Sequence, residues 1–298
     1  MYKVSFLLET ITPLFMSGAD GKTSELRPSA FKGMMRFWWR AVRAESNIEN
    51  LWKEEAKIFG AAEERFGRSK VKITLNPQQV KENKYKPLPH HTGDSSCKFL
   101  PSCGSRSNPK RCSKGFKLPC INPGTTFDII LESWENIELY KNTFIISTIL
   151  GGLGKRSRRG FGSIKIIKIN KETLDFSYSL ESILQLLMSF NNLNFELRNQ
   201  IIINKNSGGD YPWIKTIRLG KEENNFEKLL KKIGEATHNF KNPALGFSDR
   251  QGRLASPVFV SIIKTSENKY RPIITTLNTV CHQSIAVKKQ NDFIGALL

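Results

Sequence analysis

The chain has 298 residues, room for one large domain or two ordinary ones. Its 39% hydrophobic and 24% charged residues give the composition of a globular protein and exclude a disordered chain. Lysine and arginine number 46 against 27 acids, a net charge of +19. An excess that repels itself in the folded state suits a polyanionic partner, with nucleic acid ahead of an anionic membrane surface. The longest apolar run, Phe144–Leu153, falls far short of a membrane span. The first residues carry one lysine, no long apolar core and no small-residue cleavage site, so they do not read as a signal peptide. Five cysteines, an odd number with no export signal, fit a reduced cytoplasmic setting.

In chain order, Tyr2–Ile11 alternates as a half-buried strand. A long loop with Gly18, Gly21, Pro13 and Pro28 follows, and Ser29 is placed to cap a helix from Ala30. At the helical period Phe31, Met34, Met35, Trp38, Ala41 and Val42 share one side of that helix. A second short helix is predicted over Leu51–Phe59 and a strand over Ser69–Leu75. Residues 76–123, rich in Pro, Ser, Lys and Cys, lack a period and read as an insertion between strands. A strand at Thr125–Ser133, a helix at Asn136–Leu150, a loop at Gly151–Ser163 and a strand at Gly162–Ile169 complete the first half.

Without the insertion the order is strand, helix, strand, strand, helix, strand, the split βαβ or ferredoxin-like (RRM-like) arrangement. Beyond it come a helix at Leu180–Phe190, a strand at Tyr211–Leu219, a helix at Phe226–Thr237 and a hairpin from "SPVFVSIIKT" and "YRPIITTLN". The expected fold class is therefore α+β. It has two ferredoxin-like domains, residues 1–170 and 171–298, with the cysteine-containing insertion in the first.

Two segments concentrate positive charge. The loop "GGLGKRSRRGFGS" (Gly151–Ser163) carries Lys155, Arg156, Arg158 and Arg159 among five glycines. It is no nucleotide P-loop, because the earlier glycine of that motif would fall at Ile149, Arg156 stands where Ser or Thr belongs, and a strand follows. Nor is it a Rossmann turn, which follows a strand and opens a helix. Glycine-capped helix ends attract one or two basic residues. Four exceed that need, so Gly152, Gly154 and the four cations are expected to bind phosphate. "RGFGSIKI" only partly echoes the RNA-recognition consensus, since Ser163 and Ile166 stand where stacking aromatics belong.

On the first helix Lys32, Arg36, Arg40 and Arg43 lie within about 80° of arc. No acid occurs among residues 27–44, and Trp39 falls at the edge of the arc beside Lys32. A one-sign stripe bordered by an aromatic suits a nucleic-acid backbone with exposed bases; a solvated helix face is the plainer alternative. Cys97, Cys103, Cys112 and Cys120 follow His90 and His91 and are candidate zinc ligands. Their intervals of five, eight and seven residues lack a C-x-x-C knuckle, which leaves scattered thiols as the alternative. RNA binding itself requires no cofactor.

"TPLFMSGAD…ELRPSAFKGMMRFWWRAV" resembles the N-terminal signature of the first RAMP-superfamily subunit of the Cmr complex, the type III-B CRISPR effector. "EEAKIFG", "FGRSKVKI", "GGLGKRSRRGFGS" and "RLASPVFV" match further along in the same order. The resemblance implies two ferredoxin-like domains and assembly with other Cmr subunits on a guide RNA. It also implies contact with the guide's 3′ portion and with target RNA in antiviral defence, without catalysis and away from any membrane. By position it implies RNA contacts for Lys32, Arg36, Arg40, Lys155, Arg156, Arg158 and Arg159, with Gly33 and Trp39 in the same helix motif. The rival reading is a metal-independent RAMP endoribonuclease that processes precursor guide RNA, drawing on His90, His91, His238, His282 or Asp20. A protein-docking module whose charge only aids solubility is a third.

Overall fold

The structure, a computed structural model, describes residues 1–21, 23–76, 82–83, 120–174, 176–190, 195–249, 252–265, 269–280 and 287–298. The chain is a mixed α/β fold with two five-stranded antiparallel sheets and interspersed helices. The first sheet contains β1 (Tyr2–Thr10), β2 (Val71–Asn76), β5 (Thr126–Ser133), β6 (Ile164–Ile169) and β7 (Glu172–Thr173), in the order β2-β5-β1-β6-β7. Its first four strands have the order of a split βαβ unit, consistent with ferredoxin-like architecture. Short β3 (Glu82–Asn83) and β4 (Cys120–Ile121) pair with each other at the two ends of the predicted insertion.

Alternation places Val4, Phe6 and Leu8 of β1 and Phe127, Ile129 and Leu131 of β5 on one buried face. Two helices lie against it. α1 (Pro28–Arg43) starts two residues before the expected point. Its N-cap is Arg27 with no side-chain bond, so Pro28, with φ preset for the first turn, replaces the expected Ser29 cap. The next helix, α2 (Ile48–Phe59), packs on α1. α3 (Ile137–Leu150) is capped by Asn136, whose Oδ1 accepts the Leu139 N–H at 3.1 Å. Its Tyr140 and every residue from Thr143 to Leu150 are buried, because α3 runs between the two sheets.

The second sheet contains β8 (Phe195–Arg198), β9 (Ile201–Asn204), β10 (Ile214–Leu219), β13 (Val258–Lys264) and β14 (Tyr270–Leu277), in the order β13-β14-β10-β9-β8. The predicted terminal hairpin is present as β13 and β14. The β8–β9 hairpin was not expected; Asn199 and Gln200 turn it with φ of 50° and 61°, the left-handed pair that a two-residue turn demands. β11 (Phe247–Asp249) and β12 (Gly252–Leu254) form a separate small ribbon.

The second sheet is covered on both faces. Phe259 and Ile263 of β13 join the core shared with α1, α3 and α4 (Leu180–Met188). Val258, Val260 and Ile262 join Leu229, Leu230 and Ile233 of α5 (Phe226–Asn239) and Phe293 of α6 (Gln290–Gly295). α4 and α5 thus lie on opposite faces, which departs from the expectation of a second half built like the first.

Candidate nucleic-acid interface

The two basic segments do meet, but through aromatic side chains. After α3 the chain turns at Gly151, where a Cβ would strike the Trp38 indole. The loop then laces itself to the β1–α1 connection. The N–H of Lys155 donates to the Phe15 carbonyl at 2.8 Å, that of Gly162 to Pro13 at 3.0 Å and that of Leu153 to Gly162 at 2.9 Å. Gly154 (φ +75°) and Gly162 (φ +65°) are left-handed, and a Cβ on either would run into a backbone carbonyl, of Phe15 and Leu153 respectively. Gly152 is similarly close to the Phe161 carbonyl. These glycines permit close approach of the chain to itself.

The loop's cations divide into two kinds. Arg159 donates from Nη1 to the carbonyls of Val258 (2.9 Å) and Arg158 (2.9 Å), and from Nη2 to Leu245 O (3.2 Å) and Ser256 Oγ (3.0 Å). Its Cζ lies 5.0 Å from the Phe293 ring centroid. Arg158 donates to the Ser256 carbonyl, with its guanidinium 4.5 Å from the Phe259 ring and 5.7 Å from Phe37 of α1. Burial pulls both side chains down to about 10, with Arg158 and Arg156 adding repulsion at Arg159. Both stay charged at neutral pH, but as pins between the sheets. Lys155 is exposed and Arg156 is half-buried.

The α1 stripe is not without acids once the chain folds. Arg36 Nε donates to Glu55 Oε1 of α2 at 2.6 Å, and Arg40 Nη1 donates to the same oxygen. Arg43 pairs with Glu54 at 2.9 Å. Glu55 is buried, with 7% of its side chain exposed, whereas Arg36 and Arg40 remain partly in solvent. Burial, then Arg36, lowers the Lys32 ammonium below its usual range. Gly33 sits in open space on the same helix.

Trp39 requires a correction. It is 2% exposed and packs edge-on against Phe59 of α2 at 6.2 Å, so it does not border an open stripe. Trp39 shares the helical angle of Lys32, but α2 covers that flank. The residues that sequence reading missed are the partners: Glu54 and Glu55, Phe37 and Phe259. An adjacent acid pair in the following helix was the available signal for the first two.

Of the zinc candidates, Cys97, Cys103 and Cys112 lie outside the described residues, as do His90, His91 and His282. Cys120 is fully buried in the core around α5. Among the described residues there is no group of three or more His, Cys, Asp and Glu arranged to hold a metal. No helix among them is long and apolar enough to cross a membrane.

Residues 7–165, which include much of the first sheet with its helices and the basic loop, match the RAMP superfamily, and the chain belongs to it. Within that superfamily it is homologous to the Cmr1 subunit of the type III-B CRISPR effector. It is 32% identical to the CRISPR system Cmr subunit Cmr1-2 of Pyrococcus furiosus over 182 residues, 56% of this chain and 96% of that protein. The crystal structure of Cmr1 from Pyrococcus furiosus (apo form) superposes with a TM-score of 0.65 at 19% identity, covering 100% of this chain and 97% of that one. A chain from the cryo-EM structure of the type III-B Cmr-beta bound to cognate target RNA gives 0.59 at 13% identity, with 99% of each chain covered.

Proposed function

We propose that this chain is a non-catalytic RNA-binding subunit of a type III-B Cmr complex, holding the guide RNA's 3′ portion, target RNA or both alongside other Cmr subunits. Its homology to the Cmr1 subunits supports this role, and one of the similar solved chains comes from an assembly bound to target RNA. The observation that carries the reading is the guanidinium pair on α1. One buried carboxylate oxygen orients both Arg36 and Arg40, while the remaining N–H groups of Arg36 have no other partner among the described residues. Two forks held by one acid present a fixed net positive charge, the arrangement that grips phosphate without reading bases. Lys32, Arg43, Lys155 and Arg156 extend it. Arg158 and Arg159, with Gly152 and Gly154, act on the loop's shape.

The chain is read as two ferredoxin-derived units meeting near residue 170, the second with its helices distributed to both faces. The pairing of β7 with β6 supports a seam close to Thr173. Fluorescence anisotropy of the purified protein with single-stranded RNA tests the function. Affinity should fall with salt by about 0.7 log units per log salt for each phosphate neutralised. The RNA should stay intact throughout. Cleaved RNA, or binding indifferent to salt, overturns the proposal.

A further inference from the structure

At the outer edge of the first sheet, away from the loop, a cavity of about 450 Å³ is lined by Lys32, Arg68, Lys70, Lys72, Trp134 and Met1 among others. Trp134 is 74% exposed, the most exposed of the large apolar side chains among the described residues. It stands on a fixed corner, where β5 ends and before α3 begins. Ser133 Oγ donates to the Lys70 carbonyl at 2.9 Å and accepts the Glu135 N–H at 3.1 Å, which ties the corner to the edge strand. Ser133 also pairs in register with Tyr2 on one side and Val71 on the other.

Charge around this indole is one-sided. Lys70 pairs with Glu135 at 3.4 Å and Lys72 with Glu132 at 3.2 Å. Lys32 and Arg68 have no ion-pair partner among the described residues, so four cations face two acids. Protein–protein interfaces are depleted in lysine and place aromatic residues in an apolar centre. A lone flat ring among three lysines and an arginine instead fits a strand that carries phosphate on one side and bases on the other. Lys32 links the cavity to the α1 stripe, since it belongs to both.

We propose that this cavity is a nucleotide subsite, in which a base of single-stranded RNA stacks on the Trp134 indole while its phosphate lies among Lys32, Arg68 and Lys70. This rests on the RNA-binding reading and adds the aromatic platform that buried Trp39 does not supply. The test is anisotropy of the full chain with two labelled probes, a short uniform single-stranded RNA and the matching abasic sugar-phosphate strand.

Trp134→Ala should weaken binding of the RNA by about 5- to 100-fold, the range for loss of one stacked base. Trp134→Phe should recover most of that loss. Both variants should bind the abasic strand like the parent and melt at the same temperature, because the ring is outside the core. Arg68→Ala should lower the salt slope by about 0.7. Wild-type protein that fails to bind RNA sinks the parent reading and this one together. Wild-type protein that binds in a salt-dependent way, with Trp134→Ala within twofold of it, overturns the subsite alone and marks the surface as a protein contact. An equal loss on both probes overturns stacking.

Discussion

Arg159 Nη1 donates to the carbonyl oxygen of Val258 at 2.9 Å, joining the basic loop of the first half to the edge strand of the second. Phosphate and main-chain carbonyls call for the same donor, a planar fork of N–H groups. A cation that sequence inspection assigns to RNA is committed here to the fold. Removing it leaves the Val258 and Leu245 carbonyls without this donor. Arg159→Ala should therefore cost about 2–5 kcal/mol of stability. Lys155→Ala, at an exposed neighbour, should change stability by no more than about 0.5 kcal/mol. Denaturant titration of the two variants side by side reads the difference, and RNA affinity should show the opposite order once the melted fraction of Arg159→Ala is discounted.

Glu55 restrains two arginines and also neutralises one of them. Glu55→Gln should destabilise the α1–α2 pair by about 1–3 kcal/mol, as charge-assisted bonds become neutral ones. It should also weaken RNA binding at moderate salt while the protein stays folded, because the two guanidinium groups lose the carboxylate oxygen that aims them. A folded variant that binds RNA more tightly, with a salt slope steeper by up to about 0.7, would show that Glu55 acts by masking the guanidinium groups rather than by aiming them.

Gly162 is left-handed, and its missing side chain makes room for the Leu153 carbonyl. Gly162→Ala should cost about 2–4 kcal/mol through combined strain and collision. Gly33→Ala, in open space on a helix, should be neutral or raise stability by up to about 1 kcal/mol. Thermal melts of the two variants separate a glycine needed for close approach from one that is merely present.

Burial raises the phenols of Tyr140, Tyr178 and Tyr211 to about 12. Between about pH 10 and 12 the folded chain holds these protons while the unfolded chain releases them. The native state then binds more protons, so stability falls as pH rises through this window. Absorbance at 295 nm should show these three tyrosines ionising late, together with unfolding, and the melting temperature should drop across the same range. Ionisation of all three near 10 without loss of structure would contradict their burial.

The elements with one buried face were legible in the residues. β1 and β5 alternate, α1 gathers its apolar side at the helical period, and Asn136 marks the start of α3. Elements buried on both faces were harder. β13 has no alternation because α3 and α5 both cover it, so its strand character was readable but its place in the sheet was not. The basic segments were visible as charge, but their roles depend on acceptors far along the chain. Nothing near Arg159 announces Leu245 or Val258. Trp39 and Trp134 illustrate the same limit. Helical angle placed one of them correctly on its own helix, but only the packing of α2 decides that it is covered.

The bond from Gly160 N–H to the Val260 carbonyl, at 2.7 Å, and that from Ile262 N–H to Ser163 Oγ, at 3.0 Å, have a consequence for synthesis. During translation the loop leaves the ribosome about a hundred residues ahead of the strand that completes it. Until then Arg158 and Arg159 are ordinary hydrated cations, open to any nucleic acid nearby. Grafting either half onto a distant homologue's counterpart should yield chimeras that fail at this joint, however well each sheet forms.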